Sequence, residues 1–381
     1  MKNIAILGAN DFAVPLIKKA KDLGFKTHVF AWKNGDAGER VADYFYPISV
    51  TEKEKILKKC KEIKPDAITS IASDLTTIAV TYVANELGLS ANSQECAAFC
   101  TNKYKMRSAL KNAGILVPKF MIADLSTDID EIMSAFELPV IVKPTDRSGS
   151  RGITKVIDGC QLAKAISAAL KQSFEGKAII ESFVEGKEYS CECISYCGNH
   201  RVLAFTQKST TGAPHFIETG HIEPSDLSDE EKNKAEAQIF RALTTLKIKV
   251  GASHSEFRVT DKGEVVLMEI GARMGGDCIG SHLVELSTGI DYLKMVIDCA
   301  IGEKPDFTVK SEPKIACIKF ILSQEDLLKY YDIKKYYEDN IVYVSSIETI
   351  GTRSVVDSST RYGYYILKCD NIEDMRELLN V

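Results

Sequence analysis

The chain has 381 residues, 45% hydrophobic and 27% charged, with a formal net charge of −5. That length exceeds what one hydrophobic core serves, so two or three domains are expected, and the acidic balance argues against a nucleic-acid partner. No long uninterrupted apolar run occurs and "MKNIAILGAN" carries no signal-peptide pattern, so the expectation is a cytoplasmic protein with no membrane partner.

In chain order, "NIAIL" reads as a buried strand, "DFAVPLIKKAKDLG" as a helix closed by Gly24, and "KTHVFAW" as a strand. "TEKEKILKKCKEI" (helix), "DAITSI" (strand) and "TTIAVTYVANELG" (helix) follow. Strands separated by amphipathic helices predict a doubly wound parallel sheet. The lysines of 53–64 follow a Thr51–Glu54 capping box at helical spacing, so a solvated helix face is favoured over a binding patch. The first turn, "GANDFA", lacks G-x-G-x-x-G, and a redox dinucleotide is unsupported.

A helix at 102–113 ends at Gly114, after which the pattern changes. Strands "PVIVKP", "ITKVI", "KAIIESFV" and "EYSCECISY" are interspersed with helices near 160–172 and 229–247, the second opening on a Ser228–Glu231 capping box. "KVGASHSEFRV" and "EVVLMEIG", joined by "TDKG", predict a hairpin. Helices are expected over 281–302, and a strand-rich unit of about seventy residues ends the chain. The eleven cysteines read as free thiols. Cys191, Cys193, Cys197 and His200 lack the paired spacing of structural zinc, and packing of Cys191 and Cys193 on one strand face is favoured.

Phosphate chemistry is suggested first by "IVKPTDRSGSRGI". Lys143 ends one strand and the Ser148–Gly152 loop leads into another, unlike a P-loop, whose lysine follows its glycines. Such a hairpin makes a flap: backbone N–H groups of Ser148, Gly149, Ser150 and Gly152 close over phosphate oxygens while Lys143 supplies fixed charge. An ordinary flexible hairpin is the alternative. In "IIESFVEGKEYS", Glu181, Val184 and Glu188 could offer a backbone edge to adenine and an acceptor to ribose hydroxyls, or form an acidic surface turn. Glu256 and Glu269 can lie side by side across the hairpin and then need a cation between them; Mg²⁺ shared with phosphates fits. Arg273, four residues on, could hold a carboxylate or a phosphoryl group. Lys208, His215, Glu218 and His221 lie in "TQKSTTGAPHFIETGHIEP", which reads equally as a lid over an acceptor site or a solvated loop. Gly275 and Gly276 join these as substrate candidates. His254 and His282 read equally as site or structural histidines.

The order of these pieces resembles the ATP-grasp superfamily of biotin carboxylase, D-alanine ligase and glycinamide ribonucleotide synthetase, over essentially the whole chain. The resemblance implies α/β and α+β architecture: an N-terminal doubly wound domain (1–115), a two-lobed ATP-grasp domain (116–308, lid lobe about 118–190) and a small C-terminal β-rich unit (309–381). It makes Lys103 and Lys143 the phosphate lysines and Ser148–Gly152 the loop over the triphosphate. Glu181 and Val184 become the adenine hinge, Glu188 the ribose acid, Glu256 and Glu269 the magnesium ligands, and Arg273 the stabiliser of an acyl phosphate. The family's Asp before the first lysine is Asn102 here. Its E-x-N-x-R reads Glu269-Ile270-Gly271-Ala272-Arg273, and Gly271 offers no side-chain oxygen to a second magnesium. The run "EIGARMGGDCIGSHLVELSTGID" is most similar to the L-amino acid ligase branch. ATP, magnesium (or manganese), a small-molecule carboxylate, an amine and a homodimer through the N-terminal domain are implied. A carboxylase-like or purine-biosynthetic enzyme and a non-catalytic nucleotide sensor are the alternatives.

Overall fold

The computed structural model describes residues 2–213, 216–351 and 353–380. Its first sheet is parallel, in order β3-β2-β1-β4: β1 is Asn3–Leu7, β2 Lys26–Phe30, β3 Tyr44–Tyr46 and β4 Ala67–Thr69. Alternate residues of β1 feed opposite cores, as a period of two demands. Ile4 and Ile6 pack with the helix Val14–Asp22 and with the distant helix Tyr292–Ala300, while Ala5 and Leu7 face Lys53–Ile63 and Asp74–Leu87. Both faces are thus covered, and the doubly wound prediction is met.

A second, antiparallel sheet has order β5-β8-β6-β7, from β5 Phe120–Ala123, β6 Val140–Pro144, β7 Thr154–Val156 and β8 Ala178–Ser182. Val140, Val142 and Ile180 face the helices Ile129–Ala135 and Leu162–Gln172 around a core of their own. Ile141, Lys143 and Glu181 line a cleft on the other side.

The third sheet has eight strands in order β13-β12-β9-β10-β11-β14-β16-β15. These are β9 Lys187–Tyr196, β10 Asn199–Thr210, β11 Glu218–Glu223, β12 Gly251–Val259, β13 Val265–Gly271, β14 Ile315–Ile321, β15 Ile341–Val344 and β16 Gly363–Cys369. The last three, from the end of the chain, extend the sheet that also carries the 251–271 hairpin. Tyr189, Cys191 and Cys193 point into a core under the helix Asp229–Thr245, with the two sulfurs 3.6 Å apart. His200 is engaged by Ser195 and Thr244.

Local structure departs from expectation in two places. The lysine-rich helix starts at Lys53 with Glu52 at its cap, and Glu52 accepts from the Ser49 N–H, so no Thr51–Glu54 capping box forms. The Ser228–Glu231 box is present in full. The segment expected to be a lid or solvated loop is largely the β10–β11 pair, with Lys208 opposite His221. Among the described residues, no helix is long and apolar enough to cross a membrane.

Candidate functional site

A cleft of about 180 Å³ lies between the second sheet and the β9–β13 end of the third. Its cationic end is built on a buried ion-pair triad. Lys143 Nζ lies 2.6 Å from one Glu181 oxygen, and Arg107 Nε 2.6 Å from the other. Burial alone would raise the Glu181 carboxyl, but Arg107 and Lys143 hold it at about 2. Glu181 is paired through its backbone to both β5 and β6. Glu181 lines the cleft with Val184, and its carboxylate fixes Lys143. Arg107 went unnoticed in the sequence, although it stands one helical turn after Lys103 on the helix Lys103–Asn112.

Asn102 caps that helix, accepting from the Lys105 N–H, and so presents Lys103 at the first turn. Lys103 donates to the Arg147 carbonyl (2.6 Å) and reaches Glu269 at 3.1 Å. Above it the loop 148–152 has three left-handed residues, Gly149, Ser150 and Gly152. The Ser150 hydroxyl donates to the Phe216 carbonyl at 3.2 Å, so the flap touches the β10–β11 connection.

Glu256 and Glu269 are direct cross-strand partners on β12 and β13. Their pairing depends on a bulge at the next step, where Phe257 opposes Leu267 and Met268 is the extra residue. Val265 and Leu267 face the core; without the extra residue, Glu269 would follow them inward. The bulge turns it into the cleft. Lys103 neutralises Glu269, and Lys208 neutralises Glu256.

The charges continue along the sheet. Lys208 lies 3.6 Å from Glu188, and Arg258 donates to Glu188 and to the Val184 carbonyl, both at 2.8 Å. On the other side His254 bridges Glu192 and Glu256. Burial disfavours a charged imidazole, but Glu192 and then Glu256 raise it to about 9. Ile141, Phe183, Val184 and Met268 make an apolar slot at the Glu188 end, with Lys155 Nζ 3.6 Å above the Phe183 ring.

Arg273 lines the cleft, but its guanidinium is clamped by Asp74, with hydrogen bonds of 2.7 and 3.0 Å. Asp74 starts the helix that follows β4, and no sequence motif announced it. Gly271 lies directly beneath this pair: a Cβ there would stand 3.1 Å from both the Arg273 guanidinium and Asp74. The departure from E-x-N-x-R therefore makes room for an ion pair.

Of the acceptor candidates, Lys208 and Glu218 reach the cleft, and Glu218 accepts from Ser358 at 2.8 Å. His221 does not: it is buried against Asp277 (3.5 Å) and Phe320. His215 lies outside the described residues. Gly275 lets its N–H donate to the buried Glu192, and Gly276 lies under the Ala72 carbonyl; neither faces the cleft. His282 is held by Ser281 beside Tyr343.

Glu256 and Glu269 supply hard oxygen donors at one point of the cleft, which suits a divalent cation. Among the described residues no group of three or more acidic, His or Cys side chains is placed to hold a metal.

Comparison with known proteins agrees with this chemistry. A sequence model of the ATP-grasp domain matches residues 136–281. A D-alanine–D-alanine ligase of Flavobacterium johnsoniae is 30% identical over 295 residues, 70% of this chain and 88% of its own. An alanine–anticapsin ligase of Bacillus subtilis is 26% identical over 326 residues, 76% of this chain and 68% of its own. An uncharacterised Sinorhizobium fredii protein, y4rH, is 28% identical over 61% of this chain, which spans about half (48%) of that relative. The L-amino acid ligase structure from Bacillus licheniformis shares the fold, with a TM-score of 0.81 at 22% identity over 100% of this chain and 97% of that one. The chain belongs to the ATP-grasp family of ADP-forming carboxylate–amine ligases, enzymes that use ATP and a divalent metal.

Proposed function

We propose that this protein joins an amino-acid-like carboxylate to an amine through an acyl phosphate, converting ATP to ADP and phosphate. The observation that carries this reading is the convergence of Lys103, Lys143, Glu256, Glu269 and Arg273 beneath one flap. Adenine occupies the slot of Ile141, Phe183 and Met268, beside the Val184 backbone, and Glu188 accepts from the ribose hydroxyls. Lys103 and Lys143 then meet the phosphate oxygens, Lys103 exchanging Glu269 for them, while the 148–152 backbone closes over the triphosphate.

Magnesium, held by Glu256 and Glu269, would supply further neutralisation of the crowded phosphate charge. A substrate carboxylate oxygen attacks the γ-phosphorus, the bridging bond to the β-phosphate breaks, and ADP leaves. The amine nitrogen then attacks the acyl carbon, and the carbon–oxygen bond to phosphate breaks. Glu218 stands on the acceptor side to take the amine proton. Arg273, pre-aligned by Asp74, stabilises the charge on the acyl phosphate as it forms and collapses. The flap excludes water that would hydrolyse it.

The two amino-acid-joining relatives matched in sequence support amino-acid-like substrates. The test is Mg-ATP turnover with amino acids singly and in pairs. Release of ADP and phosphate with an amide product for particular pairs supports the reading. Formation of AMP and pyrophosphate would overturn it.

A further inference from the structure

We infer that a second cavity, adjoining the cleft, receives the side chain of the carboxylate substrate, and that this substrate is an α-amino acid with an apolar side chain. The inference rests on the proposed ligase chemistry and adds the substrate class. The cavity holds about 360 Å³, within the size range of small-molecule sites. It lies between the helices Asp74–Leu87, Gln94–Cys100 and Lys103–Asn112 and the flap. Lys103, Arg147, Ser148, Arg151 and Glu269 line both cavities, so the second opens where phosphoryl transfer is proposed.

One stretch of its wall is apolar, although Gln94, Lys105 and Asp146 also line it. Leu75, Ile78 and Tyr82 succeed one another at three- and four-residue spacing along one helix face, and Ala97, Ala98 and Met106 close the other side. Leu75 and Ile78 are 38% and 42% exposed, so both present apolar surface to the cavity that a ligand could cover. Asp74 lines this cavity, and Arg273, which it holds, lines the adjoining cleft. Each Asp74 oxygen accepts one hydrogen bond from Arg273 and retains capacity for another. A ligand that sets its carboxylate near Lys103 and Arg273, its ammonium on Asp74 and its remainder between Leu75 and Ala98 is an α-amino acid with an apolar side chain. Lys53 stands at the far rim, 4.4 Å over the Tyr82 ring, which makes an acidic side chain the competing occupant.

Equilibrium dialysis of racemic leucine, glutamate and glycine against the full chain, with magnesium and a non-hydrolysable ATP analogue, tests this. Binding of the analogue alone is measured first and checks folding of each variant. Leucine is expected to bind roughly tenfold or more tightly than glycine or glutamate. Ala98→Phe, which fills the cavity, and Leu75→Asp, at a half-exposed position, should each weaken leucine roughly tenfold while the analogue binds as before. Asp74→Asn should weaken leucine more than 4-methylpentanoate, which lacks the ammonium. Glycine or glutamate binding as tightly as leucine overturns the inference, and so does unchanged leucine affinity in both cavity variants. If the analogue fails to bind wild type, the ligase reading falls, and leucine binding measured without it still decides the cavity.

Discussion

Gly271 shows how one small side chain can set the geometry of a site. A Cβ at this position would press on both halves of the Arg273–Asp74 pair. Gly271→Asn, which restores the family's usual residue, should therefore displace Arg273 and slow ADP formation by about a hundredfold, since misplacement on the ångström scale has that effect. Initial rates at saturating Mg-ATP check this, and an unimpaired variant would contradict the role given to the pair. Glu223 carries a second prediction. It is fully buried, accepting from Thr206 (2.5 Å) and Ser287 (2.9 Å), with Glu192 and His254 the nearest charged groups. Burial raises its carboxyl from 4.5 to about 8, so the folded protein retains a proton that the unfolded chain has released. That stabilisation is complete below pH 4.5 and is lost as pH rises towards 8. Glu223→Gln, always neutral, should gain on wild type progressively between about pH 5 and pH 8, by on the order of 4–5 kcal/mol at the upper end. Equal unfolding midpoint differences at both ends would contradict it. Lys143, Glu256 and Glu269 were legible because type and spacing mark them. Asp74 and Arg107 were not, because their partners Arg273 and Glu181 lie far along the chain.

At the scale of elements, alternation and turn residues were enough to read the 251–271 hairpin and the parallel sheet. The bulge at Met268 was invisible, since it exists only relative to the paired strand, yet it is what aims Glu269. His221 was misplaced for a similar reason: only the β10–β11 pairing shows which segment forms a strand and which side chains it buries. The flap yields a prediction of its own. Gly152 has φ of +69°, and a Cβ there would lie 3.1 Å from Pro144 and 3.2 Å from Gln172. Gly152→Val combines this crowding with a left-handed backbone that a β-branched residue resists by about 1–2 kcal/mol. The flap should then close poorly, raising the KM for ATP about tenfold. Steady-state kinetics would contradict this if KM were unchanged.

At the scale of the molecule, contacts distant in sequence tie the parts together. The helix Tyr292–Ala300 covers the N-terminal sheet, and β14–β16 extend the sheet that also carries the cleft. Arg361 reaches from the last segment to hold Asp277 at 2.9 and 2.5 Å. Its side chain is only 7% exposed, and Asp277 in turn sits beside buried His221. Arg361→Ala leaves Asp277 largely buried without its main partner and should destabilise the protein by about 3–5 kcal/mol. Because the sheet is shared, calorimetry should show that loss in one transition involving both the cleft sheet and the last strands. A separate early transition confined to the C-terminal strands would contradict it.

The proposed chemistry has ATP activate a carboxylate as an acyl phosphate in this cleft. The most direct measurement follows ¹⁸O from a doubly labelled carboxylate substrate during turnover with Mg-ATP. One ¹⁸O is expected in each phosphate released, with ADP as the nucleotide product. Phosphate free of label, or label recovered in AMP, would contradict it.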